Sequence, residues 1–489
     1  MIKETRVRIA PSPTGKLHIG VARVALFNYL FAKQRKGTFI LRIEDTDTER
    51  SKKEYEKSIT DGFKWLKLEP KEMPGKGNYG PYRQSERKNI YTKYLKRLLE
   101  ENKAYYCFCP KEELEIEKEK QIKEGKTPCY SGKCSKLTEE EVDKYLEEGR
   151  PSTIRFKNLS NITKFKDLIR GEIEFNTSLM GDFIIAKNIS EVLYNFACVV
   201  DDYEMKISHV IRGEDHIANT PRQILLQEAL GFYHPQYGHL PLILGSDKKK
   251  MSKRHGATSI LEYESEGYLP GALVNFMAFL GWNPGTEQEI YSIEKLIKDF
   301  DIAKIQKSGA IFNIQKLESI NSFYIRQKSI EELTDLCIPY LIKDNLIDQE
   351  NINKEKIQKI ISLYQKRLKK LSEISEFVDF FFKDFKYKKE LLKWKEMTNE
   401  KVKSSLNKSK EVLLKIKKGE FNKKNLTEIL LKEAKDFGEE IKREGDRGCL
   451  LWPLRIALTG KENSAGPFEI INVLGKEETI KIINKALNK

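Results

Sequence analysis

From Arg6 to Ala10 the chain alternates charged and apolar residues, the period of a strand. The prolines and glycines between Pro11 and Gly20 break that run, and VARVALFNYLFAKQRKG then carries an apolar helical face that ends at Gly37. TFILRIEDTD reads as the next strand, so the opening is strand, glycine-bearing loop, helix, strand. Such a βαβ unit begins a parallel, doubly wound sheet, whose ligands bind beyond the carboxyl ends of its strands. Strand-like segments return at RPSTIRFKN and EVLYNFACVVDD, ISHVIRGEDH closes in a turn, and NTPRQILLQEALGF reads as a helix capped by Asn219 or Thr220 with Pro221 in its first turn. After Gly256 nearly every apolar pattern is helical.

These patterns predict a Rossmann-like, doubly wound α/β domain interrupted by an α+β insert and followed by an all-helical C-terminal half. The expected boundaries are 1–104 and 191–256 for the two halves of the α/β domain and 105–190 for the insert. A first helical domain is expected over 257–325 and a second over 326–489.

Composition changes the picture in one respect. The net charge of +15 is not evenly spread: Lys383 to Lys424 holds 15 Lys against 6 acidic residues, a clustered net +9 that suits a polyanionic partner. No stretch approaches the roughly 20 apolar residues of a spanning helix. The start MIKETRVRIAPSP has neither an apolar signal core nor an Arg/Ser-rich leader, so the cytoplasm is the expected compartment and no membrane partner is expected. Seven cysteines, an odd number, fit reduced thiols, with a metal where spacing allows, rather than a disulfide framework.

Two loops carry chemistry. His18 and Gly20, preceded by Gly15, stand where the first helix begins, so that backbone N–H groups and an imidazole can meet a nucleotide's phosphates. LGSDKKKMSKRHG, Leu244 to Gly256, concentrates Lys248, Lys249, Lys250, Lys253 and Arg254 on one short loop, as neutralising a departing pyrophosphate requires.

As a pair, HIG near the start of a doubly wound domain and KMSK near its end resemble the ATP signatures of class I aminoacyl-tRNA synthetases. More narrowly, RIAPSPTGKLHIG, RIEDTD at 42–47, GPYRQSER at 80–87, YNFACVVDD at 194–202, HVIRGEDHIANTPRQ at 209–223 and KMSKR at 250–254 together resemble bacterial-type glutamyl-tRNA synthetases. The likeness runs on to LRIALTGKENSAGPFE, Leu454 to Glu469, and so covers the chain.

The resemblance implies an ATP-dependent ligase that joins L-glutamate to tRNA(Glu) through a glutamyl-adenylate, releasing AMP and pyrophosphate. Magnesium is expected to arrive with ATP. The catalytic positions implied are His18, Lys250 and Lys253. Gly15, His18, Gly20, His216, Met251 and Lys253 match ATP-binding positions, while Arg8, Ser12, Tyr194 and Arg212 match those that hold the glutamate carboxylates and Glu44 the one that meets its ammonium. Arg367, in YQKRLKKL, lies about where related enzymes read the anticodon's third base, and the lysine cluster falls in the anticodon-binding region. FVDFFF, Phe377 to Phe382, reads as core. A monomer is the family expectation, and tRNA(Gln) is a second acceptor to be tested. Glutamine-charging relatives share the signatures, but their anticodon end is built largely from β-barrels, whereas this half reads helical.

In the insert, Cys107, Cys109, Cys129 and Cys134 raise a structural zinc site. Zinc-binding relatives follow the CxC with a Cys matching Cys134 and a His two residues later; here that position is Lys136, which cannot ligate while charged. The fourth ligand is then Cys129 or Tyr130, or there is no metal. Cys198, Cys337 and Cys449 read as ordinary core residues.

Overall fold

The computed structural model describes residues 4–47, 49–251, 259–441, 443 and 445–488. The chain divides into two compact units, Met1–Glu264 with Pro270–Leu317, and Ser265–Leu269 with Glu318–Lys489.

In the first unit, strand β1 (Arg6–Ile9), helix α1 (Ile19–Gln34) and strand β2 (Thr38–Leu41) form the expected βαβ start, β1 and β2 pairing in parallel from Arg6↔Thr38 to Ile9↔Leu41. The alternating charges of β1 do not face water. Arg6 is buried in a fork on Glu72, with both hydrogen bonds 2.8 Å, and Arg8 is buried against Asp202. Helices α2 (Lys53–Trp65) and α3 (Lys88–Glu100) follow.

The insert begins at β3 (Ala104–Cys107) and carries helices α4 (Lys111–Lys123) and α5 (Glu139–Glu147), neither of which buries a residue, as their charge-rich sequences require. Strands β4 (Thr153–Phe156), β7 (Ile184–Asn188) and β8 (Glu191–Val192) join β3 in an antiparallel sheet of order β3-β4-β7-β8. Between them, β5 (Ile162–Asp167) and β6 (Gly171–Asn176) form a hairpin that joins the main sheet instead.

The expected strand over EVLYNFACVVDD is corrected: after the two residues of β8 it is helix α6 (Tyr194–Glu204). Its Phe196, Ala197, Val199 and Val200 enter a core with α3, β4 and the later helix α7 (Thr220–Leu230), while Cys198, Asp201 and Asp202 are buried as well. A helix buried all round shows no polar stripe, so its apolar run mimics an interior strand. RPSTIRFKN is a strand, β4, but in the smaller sheet.

Strands β9 (His209–Gly213) and β10 (Gln236–Leu240), joined by α7, complete a main sheet of order β2-β1-β9-β10-β5-β6, parallel except for the β5–β6 hairpin. Connections leave β1 toward β2 and leave β9 toward β10. The winding therefore reverses between β1 and β9, and a crevice opens at their carboxyl ends. The short β11 (Ile243–Leu244) pairs with β12 (Ala310–Ile311).

Among its described residues the second unit contains no strand. Helices Asn399–Lys415, Lys423–Glu440, Gly448–Thr459 and Lys476–Leu487 bury Leu406, Leu413, Leu430, Phe437, Leu454 and Ile483. Phe380 and Phe381 are buried, and none of the fifteen lysines between Lys383 and Lys424 is. Among the described residues no helix is long and apolar enough to cross a membrane.

Candidate active site

A cleft of about 1200 Å³ occupies the crevice at the switch point. Arg8, Ser12, Gly15, His18, Gly20, Glu44, Tyr194, Arg212, His216, Lys250 and Met251 all line it, although they come from separate segments of sequence.

His18 caps α1. Its backbone is extended (φ −97°, ψ 159°) and its Nδ1 accepts from the Gly20 N–H at 3.2 Å, which places the imidazole proton on Nε2, a donor for an anion at the helix N-terminus. Partial desolvation and then the Lys250 ammonium keep the His18 pKa below its ordinary value, so the ring stays neutral. Gly20 is dictated by this contact: a Cβ there would lie 3.0 Å from His18 Cε1 and Nδ1. Gly15 has open space at the same test.

Behind the loop lies a buried charge network. Asp202 accepts from Arg8 Nε at 3.1 Å and Nη2 at 3.2 Å, and from Arg42 Nη1 at 2.6 Å. Arg42 also donates to Glu44 at 3.0 Å and stands 3.7 Å from Asp201, which in turn holds Arg87 at 2.6 Å, Gln84 at 2.8 Å and the Tyr91 hydroxyl at 2.9 Å. Burial alone would raise the Asp202 pKa, but Arg8 and Arg42 outweigh it and hold the carboxyl at about 2. Burial lifts Glu44 above the usual carboxylate range against the pull of Arg42 and Arg8. Tyr194, Cys198 and Asp202 share one face of α6 at four-residue spacing, so Cys198 is core only in the sense of burial; its thiol lies 3.6–3.7 Å from both guanidinium groups.

Arg212 is different. It is buried, yet among the described residues no carboxylate pairs with it. Nε donates to His239 Nε2 at 3.2 Å and Nη2 to Thr220 Oγ1 at 2.9 Å, while Nη1 is buried with no partner. A guanidinium withdrawn from water without a counter-anion costs several kcal/mol, so the arrangement can accept one. Arg23, in the same cleft, is also buried without a carboxylate but donates to the Leu280 and Pro241 carbonyls. Nearby, the Tyr194 hydroxyl lies 3.1 Å from His216 Nδ1; burial and then Arg212 push the His216 pKa down to about 4.

On the second loop Lys250 Nζ reaches Asp215 at 3.3 Å, and the Met251 N–H donates to the Ile243 carbonyl at 2.9 Å. Lys253 lies outside the described residues. Met251 and Ser259, the described residues on either side of that stretch, both line the cleft, and Ser259 bridges His18. The two signature loops thus border the same cavity.

In the insert, the thiols of Cys107, Cys109 and Cys134 lie within 4.8 Å of one another. The Tyr130 hydroxyl sits among them, 3.5 Å from Cys107 Sγ and 3.3 Å from Cys109 Sγ, and the Cys134 N–H donates to it at 2.9 Å. Cys129 is outside this cluster, its backbone tied to the Gln121 side chain. The three thiols in one small volume are compatible with a zinc ion, with the phenol oxygen beside them. In the second unit Arg367 donates to the Ser464 carbonyl at 2.6 Å.

Motif reading passed over Arg42, Asp201 and Asp202, although they lie inside RIEDTD and YNFACVVDD, and it passed over Asp167 and His239 altogether. Acids and arginines within otherwise apolar segments were the available signal.

The family described as tRNA synthetases class I (E and Q), catalytic domain, matches residues 4–319, and an anticodon binding domain family matches 332–487. The chain is 45% identical to glutamate–tRNA ligase 1 of Caldicellulosiruptor saccharolyticus over 98% of each chain. It is also 45% identical to the glutamate–tRNA ligase of Carboxydothermus hydrogenoformans, covering 99% of this chain and 100% of that one. A crystal structure of a glutamate tRNA ligase from Elizabethkingia meningosepticum in complex with its amino acid superposes with a TM-score of 0.89 at 36% identity, covering 100% of both chains.

Proposed function

The chain belongs to the glutamate–tRNA ligase family of class I tRNA synthetases, and on that premise we propose that it ligates L-glutamate to tRNA(Glu) in two displacements within the switch-point cleft. The observation that carries this is Arg212, a buried cation with an unpartnered nitrogen and, among the described residues, no acid paired with it, in the same cleft as the buried carboxylate of Glu44. A small zwitterionic acid satisfies both.

In this reading Arg212, Arg8, Ser12 and Tyr194 hold the substrate carboxylates and Glu44 the ammonium. One carboxylate then attacks the α-phosphate of ATP. The His18 Nε2–H, the N–H groups near Gly15 and Gly20, neutral His216 and Met251 hold the nucleotide; Lys250 and Lys253 neutralise the departing pyrophosphate. The lysines act on charge that grows in the transition state, so their effect falls on the rate more than on binding. A tRNA ribose hydroxyl next takes the glutamyl group and AMP leaves. Magnesium, used with ATP by class I synthetases in general, supplies charge neutralisation on the phosphates. The insert over 105–190 is assigned to the acceptor end of tRNA, 257–325 to its stem and 326–489, with Arg367, to the anticodon. Cys107, Cys109, Cys134 and Tyr130 would hold a structural zinc that fixes the insert.

The test is ATP–pyrophosphate exchange with glutamate in the presence of tRNA, with purified tRNA(Glu) and tRNA(Gln) charged side by side. Lys253→Ala is expected to slow exchange by on the order of 10²–10³ with the fold intact. Unchanged exchange would remove the role of Lys253, and no glutamate-dependent exchange in the unmodified enzyme would remove the function. About one equivalent of zinc is expected by metal analysis. Less than about a tenth on undamaged protein refutes the metal.

A further inference from the structure

Behind Arg212 lies a second pair of buried groups. His239 on β10 is the register partner of Arg212 on β9, so the two side chains stand side by side on one face of the sheet. Asp167, at the end of β5, is the register partner of Tyr237, two residues before His239 on the same face of the sheet. Its Oδ2 lies 2.6 Å from His239 Nδ1, and its Oδ1 accepts the N–H groups of Ile169 and Arg170, each at 2.9 Å. Asp167 and His239 are 2% and 0% exposed, so water does not take either group's place.

The proton positions follow. A carboxylate only accepts, so Nδ1 carries the hydrogen and Nε2 presents its lone pair, which is what the Arg212 Nε–H needs at 3.2 Å. The Thr220 hydroxyl accepts from Arg212 Nη2 and has its own hydrogen for the same Nε2 lone pair at 3.1 Å or for the His216 carbonyl at 3.3 Å. With Nε and Nη2 fixed, the planar guanidinium has one orientation, and in it Nη1 is left over for a ligand.

We propose that Asp167 and His239 are positioning residues that determine affinity for the acidic substrate, by setting the imidazole tautomer that holds Arg212 with one nitrogen free. The assignment rests on the role given to Arg212 above. Burial and the adjacent Arg212 favour an uncharged His239, opposed by Asp167, which is consistent with a neutral ring that accepts.

Asp167→Asn tests the tautomer directly. The N–H groups of Ile169 and Arg170 require an oxygen at the Oδ1 position, so the amide nitrogen must occupy that of Oδ2 and donate to Nδ1. The ring proton then moves to Nε2 and opposes the Arg212 Nε–H. KM for glutamate is expected to rise about tenfold or more, with KM for ATP and Tm nearly unchanged. His239→Gln, whose amide can turn its oxygen toward Arg212, should stay within about threefold of the parent, whereas His239→Phe should lose as much as Asp167→Asn. In the His239→Phe background Asp167→Asn should add little further loss in KM for glutamate, because no ring nitrogen is left whose proton the acid could place.

Arg212→Ala is the control. If it raises KM for glutamate and Asp167→Asn does not, the dyad has no such role; if Arg212→Ala itself changes nothing, the assignment of Arg212 falls and the dyad with it. Equal losses for glutamate and ATP, or fully additive penalties in the double variant D167N/H239F, overturn the proposal in favour of a structural part. Nitrogen NMR of the unmodified enzyme decides independently of any variant: a proton on His239 Nε2 rather than Nδ1 refutes it.

Discussion

The two units handle charge in opposite ways. The first takes arginines and acids out of water and pairs many of them, as in Arg8, Arg42 and Arg87 with Asp201 and Asp202; among the described residues Arg212, Arg23 and Arg155 are buried without a paired acid, the last two donating to backbone carbonyls. The second keeps its lysines at the surface on a helical scaffold, none of those between Lys383 and Lys424 being buried. The difference matches two tasks. Recognising a small amino acid needs fixed, desolvated charges whose geometry discriminates, while holding a long polyanion needs many exposed charges whose field is additive and screened by salt. Arginine suits the first because its fork locks into place; lysine suits the second because each contributes a mobile point charge.

If the contrast is real, removing one acid from the first unit should be severe. Asp202→Ala leaves Arg8 and Arg42 facing each other in a buried site, and a loss of about 3–5 kcal/mol in folding stability is expected from denaturant titration. A loss within about 1 kcal/mol, the scale of exposed pairs, would mean that the network is solvated after all.

The second unit should respond to ionic strength instead. Between about 50 and 200 mM salt the KM for tRNA is expected to rise at least about tenfold while the KM for glutamate moves less than about twofold. Parallel shifts in both would erase the distinction. Lys417→Glu together with Lys418→Glu should weaken tRNA binding without altering the KM for glutamate, since both residues are exposed.

The smallest effect concerns pH. Burial, followed by Arg35, pushes the His209 pKa down to about 4, below the ordinary histidine value of about 6.5. The folded state therefore prefers the neutral ring, so this contribution to stability is full above about pH 6.5 and is lost as pH falls toward 4. His209→Gln should flatten the fall of Tm over that window, and an unchanged slope would exclude His209 as a source. The Asp202 contribution has the same sign lower down: it is present above about pH 4 and fades as pH falls toward 2.

How much of this was legible depends on distance along the chain. The βαβ start, the capping loop at His18 and the lysine cluster are local features, and the sequence shows them because period, turn residues and charge density are read within a few residues. The sequence of helix α6 reads as a strand for a physical reason: with core on one side and the guanidinium network on the other, Phe196 to Asp202 is continuously buried and shows no solvent face to betray its period. The pairing of Arg8 with Asp202 spans 194 residues and that of Asp167 with His239 spans 72, and no pattern in either segment names the partner. Tyr130 and Cys129 were equal candidates as neighbours in sequence; only the fold turned the phenol toward the three thiols.

By itself the sequence determined where the motif residues and the charge clusters stand along the chain, which segments are helix or strand where one face meets water, and, through its resemblance, the family. The tertiary structure decided which charges neutralise one another and which is left for a ligand. That division is physical: propensity, capping and periodicity are set by neighbours a few residues away. The protonation and reach of a buried side chain are set instead by whatever distant strand or helix replaces its water.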